Sequence, residues 1–296
     1  MTLRSAGSGK TPGRSSGPKP GVAGEGHRWH SRLAMRPHLA RVVLVVLAVA
    51  AITGPGSAGA QEQLSLAVAM SLKEAIEEIG KRFALDRPGL RLRYTFGASG
   101  ELQRHIESGA PTDVFVSAGP RQVDELEQAG RLVPDSRVVF AGNVLVAIRP
   151  ADTALDVPGP SNLLDRRVQK IGIGDPRNVA AGQSAEESLR ALGLWERLRP
   201  KLVLAEGARQ VLDQVVRAEV HVGFVYATDA VTQIGRVRLA FAIPENTHRP
   251  IVHSAAILKA TRSLPVARAF VAFLRGAEAQ AVIGRLGFEP PPAGGR

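Results

Sequence analysis

Cysteine is absent from the 296 residues, and that absence excludes disulfides, thiol nucleophiles, thiolate-held zinc and a lipid-modified N-terminal cysteine. An exported chain can do without disulfides when its core is large enough, and about 235 residues beyond a leader suffice. Aromatic residues make up only 4%. They are not interleaved with basic residues in the way that stacks nucleic-acid bases, so no nucleic-acid partner is expected. Long apolar runs are missing too: Val42 to Ile52 falls well short of the ~20 residues that span a bilayer.

The net charge of +11 has less content than its size suggests. Residues 1–60 hold eight Lys/Arg and one acid, so the remainder has 38 − 8 = 30 bases against 27 − 1 = 26 acids, only +4. The basic excess therefore sits in a segment with the parts of a secretory signal. Met35, Arg36, His38 and Arg41 form a basic start, Val42 to Ile52 an apolar centre, and Ala58-Gly59-Ala60 a small-residue cleavage site. Residues 35–60 are predicted to be a signal peptide cleaved after Ala60. Residues 1–34, rich in Gly, Ser, Pro and Arg, read as disordered or as a start placed too far upstream. Gly9-Lys10-Thr11 lacks the glycine and the preceding strand of a phosphate loop.

Catalytic sets are thin. His105, His221, His248 and His253 have no metal-ligand spacing and are expected to be surface or capping residues. Gly97-Ala98-Ser99-Gly100-Glu101 departs from a nucleophile elbow at Glu101, and no oxyanion motif accompanies it. Glu77 with Glu78, and Glu186 with Glu187, fall on predicted helix surfaces as solvated charge.

What the chain does contain is alternation. From Leu64, short apolar runs alternate with amphipathic stretches, which predicts an α/β fold with helices covering sheets. Strands are expected near 64–69, 92–96, 114–117, 144–148, 170–173, 202–204, 222–225, 237–243 and 251–258. Helices are expected at 101–108, 121–128, 185–192, 211–217, 265–274 and 278–286. A further helix begins after Ser71, where Leu72, Ala75, Ile76, Ile79 and Phe83 share one face. Ser71 and Glu74 have capping-box spacing, so the Ser71 oxygen is expected to accept from the helix start. The last two helices need a core and are expected to return to the first lobe. That gives lobe one as 61–143 plus 250–290 and lobe two as 144–249, with two crossing segments forming a hinge.

One pattern recurs: a strand end, a small or hydroxyl residue, then a helix start, at Ser71, Ser99, Ala181-Gly182 and Gly207-Ala208. These are either ordinary turns of an α/β fold or, if they converge, a cleft rich in N–H donors suited to a fully ionised oxyanion.

Six segments in order add to that reading: Val68-Ala69-Met70-Ser71-Leu72, Phe96 to Leu102, Gly109 to Ala118, Gly174-Asp175-Pro176, Ala180-Ala181-Gly182 and Gly223 to Ala230. Together, from Leu64 to Phe288, they resemble the periplasmic molybdate-binding proteins of ABC transporters. The resemblance implies a two-lobed periplasmic binding protein fold (type II) with a hinge between lobes, closing on molybdate or tungstate. It implies oxyanion ligands at Ser71 and Ser99 (hydroxyl and N–H), Ala181 and Ala208 (backbone N–H) and Tyr226 (hydroxyl). It also implies a periplasmic, non-enzymatic monomer with no cofactor, meeting the membrane only through its ABC permease. Departures are Ala180 where the family often has Pro, Ala208 where it has a larger aliphatic, and Met70 where it has a small residue. Asp113, an acid expected near the cleft, reads as structural or as a helix-end partner. Another small anion such as sulfate or phosphate is the alternative ligand, and a secreted hydrolase the alternative class.

Overall fold

The computed structural model describes residues 62–291; the predicted leader at 35–60 and the segment 1–34 lie outside the described residues. Among the described residues no helix is long and apolar enough to cross a membrane. The chain forms two five-stranded sheets. The first contains β1 (Gln63–Ala69), β2 (Arg91–Gly97), β3 (Val114–Ser117), β4 (Val138–Gly142) and β10 (Val252–Ile257), in the order β2-β1-β3-β10-β4. The second contains β5 (Leu145–Pro150), β6 (Ile171–Gly174), β7 (Leu202–Ala205), β8 (Val222–Tyr226) and β9 (Val237–Ala242), in the order β7-β6-β8-β5-β9.

The two sheets share one plan. Three strands run parallel, as in β2-β1-β3 and β7-β6-β8, and a fourth, β10 or β5, lies antiparallel beside them. In each sheet that antiparallel strand is the first one reached after the chain has crossed over. The crossings lie between Gly142 and Leu145 and between Ala242 and Val252.

Helices follow the parallel strands: α1 (Lys73–Leu85) after β1, α2 (Ser99–Glu107) after β2, and α3 (Pro120–Gln128) after β3. In the second sheet α4 (Ala180–Ala191) follows β6, α5 (Trp195–Leu198) is one turn, α6 (Ala208–Val216) follows β7, and α7 (Ala227–Val231) follows β8. The chain closes with α8 (Leu264–Phe273) and α9 (Ala277–Arg285). The periodic residues Leu72, Ala75, Ile76, Ile79 and Phe83 are all buried, and Phe83 stacks edge-on against Phe270 of α8 at 5.2 Å. The last two helices thus complete the core of the first sheet.

The structure differs from the sequence expectation in two places. β4 was not expected; Val138–Gly142 is separated from β5 only by Asn143 and Val144, and the expected strand at 144–148 matched β5 alone. Helix α4 begins at Ala180, five residues before the apolar periodicity would start it. Its first turn is built from small residues because a Cβ at Gly182 would stand 1.9 Å from the Gly174 carbonyl oxygen.

Candidate functional site

Parallel strands present their carboxyl ends along one edge of a sheet, and the crevice outside those ends is where open α/β sheets hold ligands. Here β1, β2, β6 and β7 each end at that edge and turn into a helix start. The expected ligand residues come from those turns: Ser71 from the single 3-10 turn Met70–Leu72, Ser99 from α2, Ala181 from α4 and Ala208 from α6. Tyr226 is the last residue of β8 and the N-cap of α7.

All five meet at one small cavity of about 20 Å³, whose lining also includes Gly97, Ala118 and Ala180. On that measure a single water needs about 10–15 Å³, so the space suits one small species. None of the five is more than 8% exposed. None of the described lining residues carries a formal charge. The polarity comes instead from helix starts, whose first N–H groups have no partner within the helix, and from three hydroxyls.

The hydroxyl protons have defined destinations. Ser71 Oγ donates to Asp229 Oδ2 at 3.0 Å, and Tyr226 Oη donates to the Ala118 carbonyl at 3.0 Å. Ser99 Oγ accepts from the Ala118 N–H at 3.2 Å, which leaves its own proton unassigned and the cavity beside it. The expected capping box does not form. The helix start at Met70–Leu72 has no side-chain cap, and Ser71 is a donor to Asp229 rather than an acceptor from the helix. Glu74 turns instead to Arg209 on α6, 2.7 Å away.

Asp229 is fully buried behind Ser71. Burial pushes its carboxyl above the usual carboxylate range, while the Arg209 guanidinium opposes that shift. Arg209 Nε stands 3.0 Å from Asp229 Oδ1, but neither atom has a hydrogen-bond partner, so the contact is Coulombic. Burial likewise raises the Tyr226 hydroxyl, which stays protonated and able to donate.

Several contacts join the two sheets across the cleft. The Gly100 N–H donates to the Asn178 carbonyl at 2.9 Å, and Arg104 bonds the Asn178 side chain. Gly100 is required there: a Cβ would lie 2.8 Å from Asn178 Cα.

The histidine expectation is corrected at His253, which is completely buried. Its Nδ1 lies 3.1 Å from the Ala118 oxygen and its Nε2 3.1 Å from Asn143 Nδ2, and burial depresses its pKa from 6.5 to about 4. An isolated histidine in a strand gives no spacing signal, so sequence could not separate it from a surface one. Asp113 is structural as expected, but it does not lie near the cleft. It precedes β3, four residues of ~3.3 Å each before the cleft edge, and accepts from the Ser65 N–H at 2.7 Å and the Thr261 hydroxyl at 2.6 Å. Asp229, Arg209, Ala118 and Asn143 were not singled out, although Ala118 and Asp229 lie inside the segments that carry the resemblance.

Two sheets of one plan, joined by two crossings, with a small donor-lined cavity between their carboxyl edges, define a two-lobed solute-binding protein. The chain belongs to the family of bacterial extracellular solute-binding proteins, whose model matches residues 64–289. It is 32% identical to the molybdate-binding protein ModA of Haemophilus influenzae over 242 residues, covering 80% of this chain and 94% of that one. It is 33% identical to the molybdate-binding protein ModA of Escherichia coli over 240 residues, covering 79% and 91%. The structure of the Azotobacter vinelandii periplasmic molybdate-binding protein superposes with a TM-score of 0.67 at 26% identity, covering 77% of this chain and 99% of that one.

Proposed function

We propose that the protein captures molybdate or tungstate in the periplasm and delivers it to an ABC permease, without cofactor or catalytic turnover. The observation that carries this reading is the convergence of four helix starts and three hydroxyls on one small cavity lined by uncharged residues. A helix N-terminus acts as roughly half a positive charge, so four offer about two, the complement of a dianion. N–H and O–H donors suit an oxyanion with no proton of its own.

In this reading Ser71 and Ser99 supply hydroxyl and N–H, Ala181 and Ala208 supply N–H, and Tyr226 supplies its hydroxyl. Residues 61–143 with 250–290 form lobe one and 144–249 lobe two. The anion bridges both, and its differential affinity for the closed form drives hinge closure. Similarity to proteins named for molybdate supports the choice of ligand. The chain acts as a monomer and reaches the membrane through the permease, after removal of the leader.

Thermal unfolding in the presence of molybdate, tungstate, sulfate or phosphate tests the reading. A ligand at 100 times its dissociation constant adds about 2.7 kcal/mol, or roughly 5 °C for a chain of this length. Stabilisation by molybdate or tungstate is expected. A shift with sulfate or phosphate alone would reassign the ligand.

A further inference from the structure

We propose that His253 is a positioning residue of the anion site: as a neutral imidazole with its proton on Nδ1, it holds the Ala118 carbonyl and so releases the Tyr226 hydroxyl to the ligand. The proposal rests on the oxyanion reading above.

The proton positions follow from the partners. The Val144 N–H donates to Asn143 Oδ1 at 2.9 Å, which fixes the amide so that Nδ2 faces Thr228 Oγ1 at 2.9 Å and His253 Nε2 at 3.1 Å. An amide nitrogen only donates, so Nε2 is the acceptor and Nδ1 carries the proton. Nδ1–H then donates to the Ala118 oxygen. That oxygen has two lone pairs and takes two donors, His253 Nδ1 and Tyr226 Oη.

Tyrosine has a single hydroxyl proton. When it turns to an oxyanion it leaves Ala118, and a buried carbonyl left without a donor is costly. Ala118 is 4% exposed and Tyr226 1%, so water is not at hand to replace it. His253 removes that cost by remaining on the carbonyl. Ala118 also donates its N–H, which belongs to the preceding peptide, to Ser99 Oγ, and this orients the Ser99 proton elsewhere. One residue, Ala118, thereby meets two of the three site hydroxyls, Tyr226 through its carbonyl and Ser99 through its N–H, and the imidazole holds the carbonyl.

The ring is itself held. It packs edge-on between Tyr226 and Phe288, each with centroids 5.5 Å away. The register shift between His253 and Ser254 marks a bulge in β10, a device that re-aims a side chain.

The test is a double-mutant cycle read by molybdate titration calorimetry on the purified protein. His253→Leu should weaken molybdate about tenfold, since only the bound state then has an orphaned Ala118 oxygen. In a Tyr226→Phe background the same change should cost nothing further, because the Ala118 oxygen is then orphaned in free and bound states alike. His253→Gln, whose amide N–H can reach the carbonyl, should bind within threefold of the parent. Nitrogen-15 NMR should show a neutral Nδ1–H tautomer at His253 with and without molybdate. Unchanged affinity in His253→Leu, an equal loss in both backgrounds, a tenfold loss in His253→Gln, or an Nε2–H tautomer would each overturn the proposal. If His253→Leu does not fold, the glutamine variant and the tautomer decide. Failure of the parent protein to bind molybdate or tungstate would overturn the oxyanion reading itself, a result distinct from an inert His253.

Discussion

Ser71 shows how a residue can be legible in place and misread in partner. Its position at the end of an apolar run, before a helical periodicity, identifies the turn. Its partner, Asp229, lies 158 residues away, and no local pattern reports such a contact. Because the hydroxyl proton is already committed to Asp229, a ligand must draw it away or rely on the Ser71 N–H. Ser71→Ala should still weaken molybdate binding by about 1 to 3 kcal/mol, as measured by calorimetry, since a ligand oxygen loses a donor. An unchanged affinity would place the hydroxyl outside the site. His253 carries a separate prediction about pH. The unfolded chain takes up a proton near pH 6.5, whereas the buried ring does so only near pH 4. Stability is therefore intact above pH 6.5 and falls as the pH drops towards 4, by about 1.4 kcal/mol per unit. Asp229, raised by burial, works in the opposite direction but is present in both parent and variant. His253→Gln should lose less melting temperature than the parent between pH 7 and pH 5; equal losses would mean that the ring is not buried as the neutral form.

At the scale of elements, the strands other than β4 were legible because short apolar runs mark them, and helix α1 because its periodicity is regular. The starts of α4 and α6 were less so. The first turn of α4 is Ala180-Ala181-Gly182 and that of α6 is Ala208-Arg209-Gln210, neither with an apolar stripe or a capping side chain, so a periodicity argument places those helices several residues late. The strand–small residue–helix pattern located the turns all the same, while their convergence on one cavity needed the sheet order to be seen. The start of α2 provides a test. Gly100→Ala places a Cβ against the Asn178 backbone, where a flexible side chain is not available to move aside. The variant should melt close to the parent without ligand but bind molybdate at least tenfold more weakly, as an interlobe N–H to carbonyl bond is blocked. Equal affinity would show that closure does not require this approach.

For the whole molecule, both sheets follow one plan because each crossing delivers an antiparallel strand beside a parallel trio. That arrangement places the turns that line the cavity on facing edges and leaves two covalent connections between the sheets. The two-lobed plan was legible from the return of the last two helices; the pairing of β5 and β10 was not, since a lone apolar run does not state its direction. The central claim is that these edges close on a tetrahedral metal oxyanion. It is tested most directly by calorimetric titration of the purified protein with molybdate, repeated with tungstate and with sulfate as competitors. The account predicts one site per chain, displaced by tungstate and indifferent to sulfate. Absence of saturable molybdate binding, or displacement of molybdate by equimolar sulfate, would contradict it.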